Sequence, residues 1–331
     1  MAEPESVTPL ELRAAGATHR GKVREHNEDH VLCRDDLSLF LVADGAGGHN
    51  AGEVASALAA RSMANYFGAT IREWHGKPEV DRFGVATGVR RLSAAVQKAN
   101  HDIVEVSQSS DQHRGMGTTV VALSFSARSG LMHVANVGDS RCYRLRAGIL
   151  EALTQDHSLI NDVLEQRPEL EDKVLDRLPK NVITRALGME ERVRVAVRSL
   201  AVVAGDRYLL CTDGLHGMVN ATTIAELLSR AASPDAVVES LVTAALDAGG
   251  IDNIGVVVVD CAGGPDARIP VSARLHSAPA RPPESSQPEI LILGIEELDL
   301  TGAVGFTVVP RGTADTGLAD ALGKLIGPKK P

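Results

Sequence analysis

Seven runs rich in Val, Leu and Ile, each five to eight residues long and bounded by turn residues, dominate this chain up to about Cys261. They are Ser38–Ala43, Thr118–Phe125, Leu131–Asn136, Arg141–Leu145, Val193–Ser199, Tyr208–Thr212 and Ile254–Asp260, and their length and composition predict strands. The strands do not alternate regularly with helices. Gly52–Phe67 is Ala-rich and lacks Pro, and Leu92, Val96, Ala99, Ile103 and Val106 form a stripe of helical period. Near the end, Ser233-Pro234-Asp235 supplies an N-cap hydroxyl, a proline at the first helical position and an acid in the first turn. Long helices early and late around hairpin-like strands predict an α+β fold with antiparallel sheets. The charged stretch Ile160–Lys180 reads as a helical insertion. Aromatic residues are only 3 % of the chain, so the core must be built from Val, Leu, Ile and Ala.

Composition changes after Cys261. The expected organisation is an N-terminal extension (1–11), a folded domain (12–262), a Pro- and Ala-rich linker (263–288) and a C-terminal tail (289–331). In the tail, Val304–Val309 is a candidate strand, Leu318, Leu322 and Leu325 fall at helical spacing, and docking onto the domain or onto a partner is the expected use. A net charge of −9 argues against nucleic-acid and anionic-membrane partners, which select concentrated positive charge. No apolar run approaches the ~18 residues of a membrane span. Cys33, Cys142, Cys211 and Cys261 form no CxxC pair, which excludes a zinc or disulfide framework of the usual spacing and fits ordinary thiols in the cytoplasm.

The chemistry is expected where acids meet strand ends. Asp44 follows SLFLVA and precedes Gly45; Asp213 follows YLLCT and precedes Gly214; Asp252 comes just before IGVVVVD. A strand stopping at Asp-Gly places a carboxylate at a sheet edge, and the glycine is expected to permit a tight turn. If three such strands are neighbours, three carboxylates converge. Two like charges ~4 Å apart repel by about 4 kcal/mol at an effective dielectric near 20, so a divalent cation is the natural counter-charge. All-oxygen donors select Mg²⁺ or Mn²⁺ over zinc. Asp-Gly alone is an ordinary turn signal, and the neighbouring segments carry the decision.

Those segments are GKVREHNED, LVADGAGGHNAGEVAS, MGTT, NVGDSRCYRL, LTQDHS, VITRALG, GDRYLLCTDGL and GGIDNIGVVVV, in that order between Gly21 and Val259. The series resembles the metal-dependent (type 2C) protein phosphatases in their bacterial form, from about residue 12 to 261. The resemblance implies a four-layer αββα sandwich and hydrolysis of phosphoserine and phosphothreonine through a water or hydroxide bridged by two metal ions. It implies that Asp44 bridges the two metals, that the carbonyl of Gly45 binds one and that Asp213 and Asp252 bind the other. Glu28 resembles the acid that holds metal-bound water, Arg24 the phosphate-binding arginine, and Asp139 a ligand, with Asp213, of a third and weaker ion. The implied partners are phosphorylated proteins, including Ser/Thr kinases and their substrates.

One position departs from the animal-type pattern. Ala46 stands where those members carry a histidine suited to protonating the leaving group; the proton donor is left open between a metal-bound water and His49, and a histidine in a Gly-rich turn such as His49 is more often structural. His157 reads as structural, and His216 stands where relatives carry Thr or another small polar residue. The insertion corresponds to the flap of bacterial relatives. Two other readings are a phosphopeptide-binding module of the same fold and a two-metal nuclease. The intact acids weigh against the first, and the acidic charge without a basic, aromatic-interleaved stretch against the second.

Overall fold

The computed structural model describes residues 11–47, 51–75, 77–109, 111–126, 129–170, 172–175, 177–179, 182–263, 291–298 and 304–308. Residues 1–10, most of the expected linker and the Leu318–Leu325 stripe lie outside them, as does His49.

In chain order the strands are β1 (Glu11–His19), β2 (Asp29–Arg34), β3 (Leu39–Ala46), β4 (Gly117–Thr118), β5 (Val120–Ser126), β6 (Leu131–Val137), β7 (Arg141–Arg146), β8 (Ile149–Ala152), β9 (Val195–Ala201), β10 (Arg207–Cys211), β11 (Ile254–Ala262), β12 (Leu291–Leu298) and β13 (Val304–Val308). One sheet has the order β1-β11-β10-β7-β8 and the other β13-β12-β9-β6-β5-β3-β2, with β4 added to β3. Every strand pairing described is antiparallel.

The period-two alternation of the central strands sorts their side chains into layers. Phe40, Val42, Val121, Leu123, Tyr208, Leu210, Val257 and Val259 fill the space between the sheets. Their neighbours Leu39, Leu41, Val120 and Ala122 face α1 (Ala51–His75) and α2 (Thr87–Ser109). On the other sheet, Leu209, Cys211, Val256 and Val258 pack under α6 (Ala221–Leu228) and α7 (Pro234–Asp247). Three cores separating four layers make the αββα sandwich. Ser233 caps α7 as expected, its hydroxyl accepting from the Ala236 amide at 3.4 Å.

The insertion folds as α3 (Leu159–Gln166) and the short α4 (Asp172–Leu175). It has a small core of its own, in which Leu159, Ile160, Leu170 and Leu175 pack around Val163 and Leu178. One further turn, α5 (Asp213–His216), follows β10 directly. The expected strand in the tail is β13; it forms a hairpin with β12, which pairs with β9 at Leu291–Val197, Ile292–Ala196 and Leu293–Val195.

Candidate metal centre

The site lies where β2, β3, β10 and β11 end beside one another. Asp29 opens β2 and stands opposite Asp44 in the β2–β3 register. The β3 strand does not stop at Asp44 but continues through Gly45 to Ala46, pairing Gly45 with Thr118 and Ala46 with Gly117. Asp213 is the first residue of α5, and Asp252 occupies the turn before β11.

The expected role of the Asp-Gly glycines is therefore corrected. Neither Gly45 nor Gly214 has a positive φ. A Cβ on Gly45 would land on the Gly52 carbonyl and 2.7 Å from that of Glu28, and one on Gly214 would overlap the carbonyl of Asn253. Both glycines are required by close approach of backbone to backbone, which brings the acid-bearing segments together.

Hydrogen bonds hold these segments in place. The Gly45 amide donates to the Glu28 carbonyl at 3.1 Å, and the Ser56 hydroxyl donates to the same oxygen at 2.6 Å. Asn253 accepts from the Glu28 amide at 2.8 Å and donates from Nδ2 to the carbonyls of Arg20 and His26, both at 2.9 Å. It shapes the turn, as expected, and ties the Arg24 loop to it. Thr118 Oγ1 donates to the Asp44 carbonyl at 2.8 Å, and the Asp44 amide donates to Thr119 Oγ1 at 3.2 Å.

Among the described residues no three carboxylates, imidazoles or thiols close into a cation cage. Asp252 Oδ2 accepts from Arg24 at 2.8 Å. The set is nonetheless one electrostatic unit. Burial, then the charges of Asp29, Asp213, Asp139 and Asp252, holds the Asp44 carboxyl well above the usual range. Burial pushes Asp29 up to about 8, opposed by the Thr212 hydroxyl, which donates to its Oδ2 at 2.8 Å. Asp139 is raised to about 6 by burial and then by Asp213 and Asp156. Asp213 is raised by burial and Asp252. Glu28 is raised by burial, partly offset by Arg24 and the Gly52 amide. Five aspartates share this pocket of charge, and Asp29 is the one that the motif reading did not single out.

The histidines divide by contact. His157 is structural, as expected: its Nδ1 accepts from the Gly138 amide at 3.0 Å, and burial lowers it to about 3. His216 is partly buried, and desolvation lowers it to about 4, with Nε2 engaged by the Asp139 carbonyl at 3.1 Å.

Residues 15–246 match the family described as Protein phosphatase 2C. The chain belongs to the protein phosphatase 2C family. It is similar to the serine/threonine phosphatase stp of Listeria monocytogenes, 35 % identical over 252 residues that cover 75 % of this chain and 96 % of that protein. Its fold is similar to the crystal structure of the Mycobacterium tuberculosis serine/threonine phosphatase PstP/Ppp, with a TM-score of 0.66, 33 % identity and coverage of 77 % of this chain and 100 % of that one. The catalytic domain of PstP in complex with two manganese ions matches at a TM-score of 0.64 and 34 % identity, over 77 % of this chain and 100 % of that chain.

The residues of this protein phosphatase 2C chain fit hard divalent cations. Asp29 Oδ1 and Glu28 Oε1 are buried and have no hydrogen-bond partner among the described residues. Carboxylates crowded and desolvated in this way resist ionisation unless positive charge joins them. The donor set is oxygen throughout, which selects Mn²⁺ or Mg²⁺.

Proposed function

We propose that this chain is a metal-dependent phosphatase that removes phosphate from phosphoserine and phosphothreonine side chains of proteins. The observation that carries this reading is the set of five aspartates (Asp29, Asp44, Asp139, Asp213 and Asp252) gathered from strand ends and turns of the two sheets into one electrostatic cluster, with Arg24 beside them. A phosphate dianion cannot approach that much negative charge without cations to offset it, so the reaction depends on metal. Asp44, Asp213 and Asp252 would hold Mn²⁺ or Mg²⁺ together with the Gly45 carbonyl. Asp139 would share a further ion with Asp213, and Glu28 and Asp29 would stand behind. When bound, paired divalent cations lower the pKa of water and neutralise charge on the phosphoryl group.

The chain's own part is binding and orientation. Arg24 is half exposed at the mouth of the acid cluster, where its guanidinium can give paired N–H donors to two phosphoryl oxygens. Its bond to Asp252 keeps it aimed at the centre. The Nε2 of His216 is occupied by main chain, so that ring does not supply the leaving-group proton. Ala46 supplies none either.

Phosphorylated proteins are the substrate class, and Ser/Thr kinases and their targets are the partners that such an activity would oppose in bacterial signalling. Cys33, Cys142, Cys211 and Cys261 are all unpaired thiols, which supports a cytoplasmic setting. No helix among the described residues is long and apolar enough to cross a membrane. The pairing of β12 with β9 supports docking of the tail onto its own sheet; truncation after Gly263 should then change stability or activity, and identical values for both would dismiss that role.

The test of the activity is hydrolysis of a phosphothreonine peptide by wild type and by Asp213→Asn, with Mn²⁺ and with chelator. Turnover should require Mn²⁺ and vanish in the variant. A folded, Mn²⁺-loaded wild type that binds the peptide without turning it over would instead establish a phosphopeptide-binding module.

A further inference from the structure

One short stretch of main chain beside the acids is fastened from both sides. The Gly138 amide donates to His157 Nδ1 at 3.0 Å, and the His157 amide donates back to the Gly138 carbonyl at 2.9 Å. On the next residue, the Asp139 carbonyl accepts from His216 Nε2 at 3.1 Å. A carbonyl can only accept, so Nε2 carries the ring proton. Gly138 adopts φ +108, and a Cβ there would come 2.6 Å from Thr119. Thr119 Oγ1 in turn bonds Ser140 Oγ at 2.8 Å and accepts from the Asp44 amide at 3.2 Å. The turn carrying Asp139 is thereby linked to Asp44 through Thr119.

His216 supplies the matching link to Asp213. It is the last residue of α5, and Asp213 is the first. A single helical turn, about 5 Å of rise, thus carries one acid of the centre and the imidazole that grips the main chain of another. The spacing between Asp139 and Asp213 is set by that turn.

We propose that His216 is a positioning residue that fixes Asp139 relative to Asp213 and so sets the affinity of the cation these two acids share. The proposal rests on the reading that Asp139 and Asp213 hold a cation together. It gives His216 no part in the chemical step, since its ring touches main chain rather than substrate. Partners that hold a ligand from behind typically change metal affinity by about 10- to 100-fold when removed.

The experiment is calorimetric titration of the metal-stripped full chain with MnCl₂, for wild type, His216→Ala, His216→Gln and Asp139→Ala, alongside thermal unfolding of each stripped protein. Asp139→Ala should lose one Mn²⁺ step. His216→Ala should weaken that same step by about 10- to 100-fold, leave the stronger steps unchanged and raise in parallel the Mn²⁺ concentration needed for half-maximal turnover. His216→Gln, whose amide can donate, should recover part of the loss. A His216→Ala isotherm matching wild type overturns the proposal. Equal weakening of every step, or weakening that follows a lower melting temperature, assigns the histidine to packing and also overturns it. If Asp139→Ala keeps every step, the reading of Asp139 as a ligand fails, and the proposal falls with it.

Discussion

Arg24 and Asp252 form an ion pair at 2.8 Å, with the arginine side chain 52 % exposed and the aspartate 30 %. Pairs this open to water contribute at most about 1 kcal/mol to stability, so the arginine's expected role is in binding rather than in holding the fold. Arg24→Ala should lower kcat/KM on a phosphopeptide by about 10- to 100-fold, the equivalent of 1.5–3 kcal/mol for hydrogen bonds to a charged group, while the melting temperature barely moves. Arg24→Lys should fall between, because an ammonium cannot offer paired donors. Asp29 follows a different logic. The sequence offers Glu28 and Asp29 side by side, and motif reading singles out Glu28 alone. The strand register adds Asp29, the residue opposite Asp44. Recognising β2, which opens at Asp29, would have pointed to it. Asp29→Asn removes a buried group that resists ionisation. It should stabilise the chelator-treated protein above about pH 8 in urea unfolding and still reduce Mn²⁺-dependent turnover, since a charged oxygen is lost.

At the scale of elements, the strands of the domain up to Ala262 that the sequence reveals and the longer ones it hides are separated by position in the sheet. The seven runs rich in Val, Leu and Ile became central or well-covered strands, whereas β1, β2 and β8 were not anticipated. All three lie at sheet edges. An edge strand is half exposed and can be built from Ala and charged residues, as in ELRAAGATH and DHVLCR, so it lacks the apolar signature of a buried one. The short helices α5 and α6 were also unannounced, being too short for a periodic pattern to stand out. Asp44, Asp213 and Asp252 were legible because β3, β10 and β11 are interior strands of their sheets; the purpose of the glycines was not, since contact between distant backbones leaves no local mark. Gly214→Ala tests that purpose. Its Cβ would overlap the Asn253 carbonyl, a backbone atom that cannot swing aside. The variant should lose about 1–3 kcal/mol or more in urea unfolding and also bind Mn²⁺ more weakly, whereas a glycine needed only for a turn would leave metal binding intact.

For the whole molecule, the acid cluster makes stability depend on pH and metal together. Unfolded, Asp29 is ionised above its ordinary value of 3.8; folded, it keeps its proton to about 8. Between those values the native state holds one more proton, so Asp29 makes the stability of chelator-treated protein fall as pH rises from about 4 to about 8, levelling off beyond. Burial lowers His133, His157 and His216 to about 4, 3 and 4, which acts in the opposite direction, but only below their ordinary value of 6.5. Mn²⁺, which binds the ionised acids, should flatten or reverse the fall and raise the melting temperature with concentration. Urea unfolding across this range, with and without Mn²⁺, measures both effects.

The pairing of β1 with β11 has a consequence for how the protein is made. The two strands join along nine registers, from Glu11–Ala262 to His19–Ile254, and Arg24 reaches an aspartate 228 residues further along. A ribosome adding about 5–20 residues per second needs roughly 10–50 s to travel from one strand to the other. Throughout that interval β1 has no neighbour in its sheet and Arg24 no centre to face. A nascent chain is therefore silent until the domain is nearly complete, and a message broken before the codon for Asp252 yields an inert fragment rather than an unregulated enzyme.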